Sequence, residues 1–236
     1  MNPLANYAYP QWIATVFTIV FPIAVILIAF LAKKSAVIGD KSRVFYAVLG
    51  FYTLYLGYVS FCSFNGLFDG VFLPPLVLLY GTFPLALFLF GVVINLKIYK
   101  TILENAQLQD LVRVHIFRLL GVFFVLLAFH DALPKPFALI AGLGDMITAI
   151  TSIFVAKAIE NKAVYAKKLT YVWNAFGFLD ILFTAVMANA LTKISIDTGA
   201  MGVDTLAKFP FCFIPAFAPP TIIFLHFAIY KKLRNL

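Results

Sequence analysis

Charge is scarce in this chain: Asp, Glu, Lys and Arg make up 12% of its 236 residues, while 63% are hydrophobic. A soluble domain carries about 25% charged residues, so a fully water-exposed surface is excluded. Cysteine is nearly missing as well. Cys62 and Cys212 form no C-x-x-C pair and lie in or beside apolar segments, which argues against a disulfide framework or a structural zinc site. The first eleven residues carry no charge and no small-residue cleavage site, so they do not read as a cleaved signal peptide. Acidic residues are the rarer sign, ten against eighteen basic, giving a net charge of +8. No basic face or nucleic-acid-binding motif accompanies that excess, so no nucleic-acid partner is expected.

What the chain has in abundance is apolar length. A membrane-spanning helix needs about 20 mostly apolar residues, and seven stretches qualify: Trp12–Leu31, Val44–Phe64, Leu73–Leu96, His115–Leu133, Pro136–Ala156, Leu169–Leu191 and Phe209–Tyr230. Their connections are short, which predicts one all-α integral-membrane domain, a seven-transmembrane-helix bundle with the lipid bilayer as its partner. Basic residues then set its orientation. The first connection holds Lys33, Lys34, Lys41 and Arg43; the third holds Lys97, Lys100 and Arg113. The fifth holds Lys157, Lys162, Lys167 and Lys168, and the tail holds Lys231, Lys232 and Arg234. Only Lys135, Lys193 and Lys208 fall on the opposite side. Positive charge marks the cytoplasmic face, so the amino terminus is expected outside and the carboxyl terminus in the cytoplasm. The polar stretch Thr101–Val112 reads as an interfacial connector leading into the fourth span.

Proline punctuates two spans. Pro210, Pro215, Pro219 and Pro220 sit in the seventh, and Pro74, Pro75 and Pro84 in the third. An interior proline removes a backbone hydrogen bond and clashes one turn back, so the outer half of the seventh span is expected to kink or unwind. Broken helices often line binding sites in transporters.

One basic residue, Arg118, falls inside a span. Ionisable groups within a bilayer are costly and usually face the bundle interior. Asp145 and Asp180 fall near the midplane, while Arg118, Asn174 and His226 lie about six residues, or roughly 9 Å, nearer the cytoplasmic side. Both aspartates follow a glycine by three residues, Gly142 and Gly177, on one helical face. Around Asp145 that face continues through Ala138, Ala141, Thr148, Ala149 and Ser152, a small-residue stripe that lets helices approach closely. Tyr52 and Tyr55, midway along the second span, are positioned to offer hydroxyls to Asp145. His130 and Asp131 read as a solvated turn.

These residues leave three readings open. The first is a polar cavity that binds or moves a proton, an ion or a small polar solute. In it Asp145 and Asp180 are exchangeable carboxylates, Arg118 their counter-charge, and Asn174, His226 and Tyr55 the surrounding shell. The second is a packing network that pins helices together. The third is catalysis: Gly142-Leu143-Gly144-Asp145 resembles the G-x-G-D motif of presenilin-type intramembrane aspartyl proteases, which would imply Asp145 and Asp180 as a dyad. Asp180 follows the motif, whereas the family's partner aspartate precedes it, and the family's Pro-Ala-Leu element is replaced by Ala218-Pro219-Pro220. No catalytic residue is therefore assigned. No cofactor is expected either. The seventh span has no interior lysine to carry retinal, and His115 with His226 is the one pair available for haem ligation. No D-R-Y-like or N-P-x-x-Y motif points to a G-protein-coupled receptor.

The chain most resembles small uncharacterised multi-pass proteins of bacterial inner membranes over residues 115–230. It shares Arg118 and Gly121, then Leu133-Pro134, then Phe137-Ala138, then Gly142 to Asp145, with one extra residue between the proline and the phenylalanine. That resemblance implies an inner-membrane location and no assigned activity.

Overall fold

The computed structural model describes residues 9–235. The reading of the amino-terminal segment as uncleaved falls on residues 1–8 for the most part, outside that range. No strand occurs among the described residues, and seven helices are long and apolar enough to cross a membrane. They run Gln11–Ser35, Ile38–Phe64, Leu78–Asn95, Leu108–Phe129, Lys135–Glu160, Ala166–Thr198 and Phe213–Arg234.

The differences from the sequence-based bounds have local causes. The first span is two helical segments, Gln11–Val20 and Pro22–Ser35, divided at Phe21 where Pro22 cannot supply its backbone donor. The third begins at Leu78 rather than Leu73. The fourth starts at Leu108, so the connector is only Lys97–Asn105, an amphipathic helix closed off by extended backbone at Ala106 and Gln107. The sixth continues past Leu191 through Thr192, Lys193 and Asp197. An i,i+4 ion pair of 2.9 Å between Lys193 and Asp197 supports the added turn, and left-handed Gly199 (φ +70°) ends it.

Contacts at the two ends of the bundle follow the alternation of spans. Lys34 pairs with Asp110 at 2.7 Å, Arg113 with Glu160 at 2.6 Å, and Lys232 Nζ donates to Glu104 O at 2.5 Å. These join the first connection, the foot of the fourth span, the fifth connection and the tail at the lysine-rich end. At the other end Thr205 Oγ1 donates to Ala132 O, and Ser63 Oγ to Ala207 O. His130 and Asp131 occupy a surface turn there, with Asp131 paired to Lys135 at 3.1 Å.

The prolines do not unwind the seventh span. Its helix is continuous from Phe213 through Pro215, Pro219 and Pro220, and only Pro210 lies outside it. Pro219 and Pro220 each leave the carbonyl four residues back without its helical donor, and a hydroxyl from a neighbouring span fills each of the two vacancies. Thr82 Oγ1 donates to Pro215 O at 2.6 Å, opposite Pro219, and Tyr55 Oη to Ala216 O at 3.1 Å, opposite Pro220. The third span does bend its ladder, with π turns at Leu78–Thr82 and Phe88–Val92 on either side of Phe83–Leu87. There Tyr58 Oη donates to Tyr80 O at 3.0 Å, the carbonyl opposite Pro84. Hydroxyl repair of this kind is how prolines are tolerated at membrane depth. Thr82→Val is therefore expected to cost about 1–3 kcal/mol, the penalty of a stranded buried carbonyl. In a Pro219→Ala background, where the amide returns, the same change should cost much less; unfolding in detergent measures both.

Candidate functional site: a buried arginine between two carboxylates

Arg118 sits in a 3₁₀ stretch, Val114–Gly121, inserted in the fourth span. A 3₁₀ helix has three residues per turn, so residues three apart eclipse. His115, Arg118 and Gly121 consequently fall on one line, and all three are buried. Gly121 lies against the fifth span at Gly142. A Cβ on Gly142 would stand 2.7 Å from Gly121 O, and one on Gly121 2.5 Å from Asp145 Cβ. That crossing brings Arg118 and Asp145, each three residues from its glycine, to the same interface. Close approach through small residues is the usual device for packing helices in lipid. The stripe expected beside Asp145 is buried throughout: Ala138, Ala141, Thr148, Ala149 and Ser152.

Arg118 is 2% exposed, and its guanidinium joins three further spans. Its Nε donates to Asp145 Oδ1 at 2.6 Å, and its Nη2 to Asp180 Oδ2 at 2.5 Å. Nη1 donates to Gly177 O at 3.1 Å and to His226 Nε2 at 3.3 Å. Arginine has no acceptor atom, so His226 Nε2 must accept and its Nδ1 must carry the proton. That proton points to Asn174 Oδ1 at 2.9 Å, and Asn174 Nδ2 donates on to His226 O at 3.3 Å. The depth gap between Arg118 and the aspartates is thus closed by the length of the arginine side chain. Gly144 and Gly177 shape the rest of the cradle. A Cβ at Gly144 would overlap the Asp180 carboxylate, and one at Gly177 would stand 2.8 Å from the His226 ring.

Five of the six residues singled out from sequence therefore meet: Arg118, Asp145, Asp180, His226 and Asn174. Tyr55 does not join them, because its hydroxyl is spent on Ala216 O. Tyr52 is also elsewhere, 3.3 Å from Thr221 Oγ1. Two participants were not foreseen in this role. His115 packs against His226 with ring centroids 4.4 Å apart and planes tilted by 39°, and neither of its ring nitrogens has a hydrogen-bond partner among the described residues. Trp173 meets His115 edge-on at 5.2 Å and donates to Thr148 O at 3.2 Å and Thr151 Oγ1 at 3.1 Å. A haem between His115 and His226 does not fit. Their rings are in contact, which leaves no gap for a porphyrin, and both His226 nitrogens are engaged. A cavity of about 30 Å³ borders Arg118, Gly121 and Asp145, enough room for a water molecule.

Fold and site together define a helical membrane protein with a buried arginine–dicarboxylate cluster. The chain belongs to the family described as domain of unknown function (DUF8737), matched over residues 74–234, which take in every residue of the cluster. No curated protein and no solved structure matches it.

Proposed function

We propose that the Arg118–Asp145–Asp180 cluster binds and exchanges a proton or small cation, in a protein of the bacterial inner membrane whose carboxyl terminus is cytoplasmic. The observation that carries this reading is the count of charges. One guanidinium serves two carboxyl groups, so with both ionised the largely buried cluster holds one net negative charge. Uncompensated charge in such surroundings is strongly disfavoured, and a proton or a cation restores neutrality. The adjoining 30 Å³ cavity admits water and is too small for a larger polar solute. Side chains of Asp145 and Asp180 retain 13% and 10% exposure, against 0% for Arg118, which leaves the carboxylates as the accessible members. The lysine-rich connections support the orientation.

A packing role is the second reading, and the engagement of four of the five Arg118 N–H groups favours it. A protease-like dyad is less supported. Such carboxyls share a proton and work on a bound substrate, whereas Asp145 Oδ1 and Asp180 Oδ2 already accept from one guanidinium.

Protein reconstituted in vesicles with an internal pH dye separates these possibilities. Asp145→Asn and Asp180→Asn are each expected to abolish wild-type dissipation of an imposed proton or cation gradient while leaving a folded, monodisperse protein. Wild-type rates in both variants, or no dissipation by the wild type, would refute exchange and leave the packing role.

A further inference from the structure

Far larger than the space beside Arg118 is a cavity of about 470 Å³ at the lysine-rich end of the bundle. Its volume falls within the range of about 300–1,000 Å³ usual for small-molecule sites. The first, second, third and seventh spans wall it with aliphatic and aromatic side chains such as Ile28, Val48, Phe88 and Leu225. The connector Lys97–Asn105 covers it, turning Tyr99, Ile102 and Leu103 inward while Lys97, Lys100 and Glu104 remain exposed. Depth along the second span grades its chemistry. Tyr52, hydrogen-bonded to Thr221, lies at the deep end, followed by Phe51, Val48, Ala47 and Val44, and Arg43 and Asp40 close the sequence at the rim.

Asp40 and Arg43 are the two charged residues among those that line this cavity. Lys34, Asp110, Arg113 and Glu160 are engaged with one another in ion pairs. The side chains of Arg43 and Asp40 make no ion pair or hydrogen bond among the described residues, although they stand three positions apart at one mouth. Water filling an apolar space of this size gains few hydrogen bonds, whereas a hydrocarbon chain matches the walls. A cation and an anion, each without a protein partner, match a headgroup carrying both signs.

We infer that this cavity is a lipid site taking one acyl chain of a zwitterionic phospholipid, with the phosphate at Arg43 and the headgroup ammonium at Asp40. Guanidinium and phosphate pair through directed hydrogen bonds, and the chain enters from the bilayer along the second span. The site shares no residue with the arginine–dicarboxylate cluster and stands whether or not that cluster exchanges protons.

Full-length protein in detergent, offered phosphatidylethanolamine, phosphatidylglycerol or oleate at equal concentration, is read by native mass spectrometry. One phosphatidylethanolamine per chain is expected, retained about tenfold more strongly than either competitor. Ala47→Trp, which fills the cavity from a position outside the packed core, is expected to lose that adduct with an unchanged melting temperature. Arg43→Glu should lose the phosphatidylethanolamine preference without losing the fold. Equal retention of all three lipids, no retained lipid in the wild type, or an unchanged adduct in folded Ala47→Trp would each overturn the assignment.

Discussion

Replacing Arg118 with alanine is expected to destabilise the folded protein by about 3–5 kcal/mol, the cost of removing one partner from a buried ion pair. The change strands more than one group. Asp145 and Asp180 lose their shared donor, Gly177 O loses an amine hydrogen, and His226 Nε2 loses its donor. Chemical unfolding in mixed micelles should show the loss. Arg118→Lys is expected to recover only part of it, since one ammonium cannot reproduce a planar fork that reaches two carboxylates and a carbonyl at once. The informative variant removes the whole charge set: Arg118→Leu with Asp145→Asn and Asp180→Asn. Replacing a buried ionic group with apolar or neutral residues is often neutral or stabilising, so this triple variant should regain most of the stability lost by Arg118→Ala. If the cluster exchanges protons or cations, the triple variant folds and is inactive in vesicles. If it only packs helices, the triple variant keeps whatever activity the wild type has. A triple variant as unstable as Arg118→Ala would show that the energetic account of the cluster is wrong.

Apolar length made the seven spans legible, because hydrocarbon thickness imposes one requirement on every helix that crosses it. The rarity of charge inside those spans likewise made Arg118, Asp145 and Asp180 conspicuous. What could not be read was anything that depends on a departure from 3.6 residues per turn. At α-helical spacing His115, Arg118 and Gly121 drift over about 120° of the helix surface, and the 3₁₀ segment brings them into line. The contact of His115 with His226 is therefore not legible from helical spacing. Tyr55 was misplaced for a different reason. Depth along a span says nothing about which neighbour a side chain meets, and the carbonyl opposite Pro220 claimed its hydroxyl. The unwinding expected at Pro219 and Pro220 in the seventh span failed for the same cause. A lone helix with Pro219 and Pro220 would open, but Thr82 and Tyr55 supply the missing donors from outside the helix. Gly144, next to Asp145, has a packing role beyond its place in the G-x-G-D motif, because its missing side chain makes room for Asp180.

Gly142→Ala is the second change expected to have a large effect, and it tests whether the helix crossing sets the site. The added Cβ would stand 2.7 Å from Gly121 O, 2.9 Å from Val125 Cγ2 and 3.3 Å from Phe124 Cβ. The nearest of these atoms is backbone, so no rotamer change relieves the contact and the fourth and fifth spans must separate. Overpacking of this kind costs about 1–3 kcal/mol, and the upper end is expected here. A few tenths of an ångström of separation also lengthens the 2.6 Å bond between Arg118 and Asp145, three residues along each helix. The same substitution at Gly50, where a Cβ meets nothing within 4 Å, should instead stabilise its helix by about 0.5–1 kcal/mol. Identical chemistry with opposite signs isolates the crossing from helix propensity. In combination with Arg118→Ala, the Gly142→Ala penalty should shrink by about 1 kcal/mol or more, since neighbouring sites that share a contact are not additive. Full additivity would mean that the crossing and the ion pair are independent, and that small residues at Gly121 and Gly142 serve packing alone. A shrinking penalty would tie the geometry of the arginine to the closeness of two backbones, which is how a chain with so little charge can hold three ionisable side chains in place.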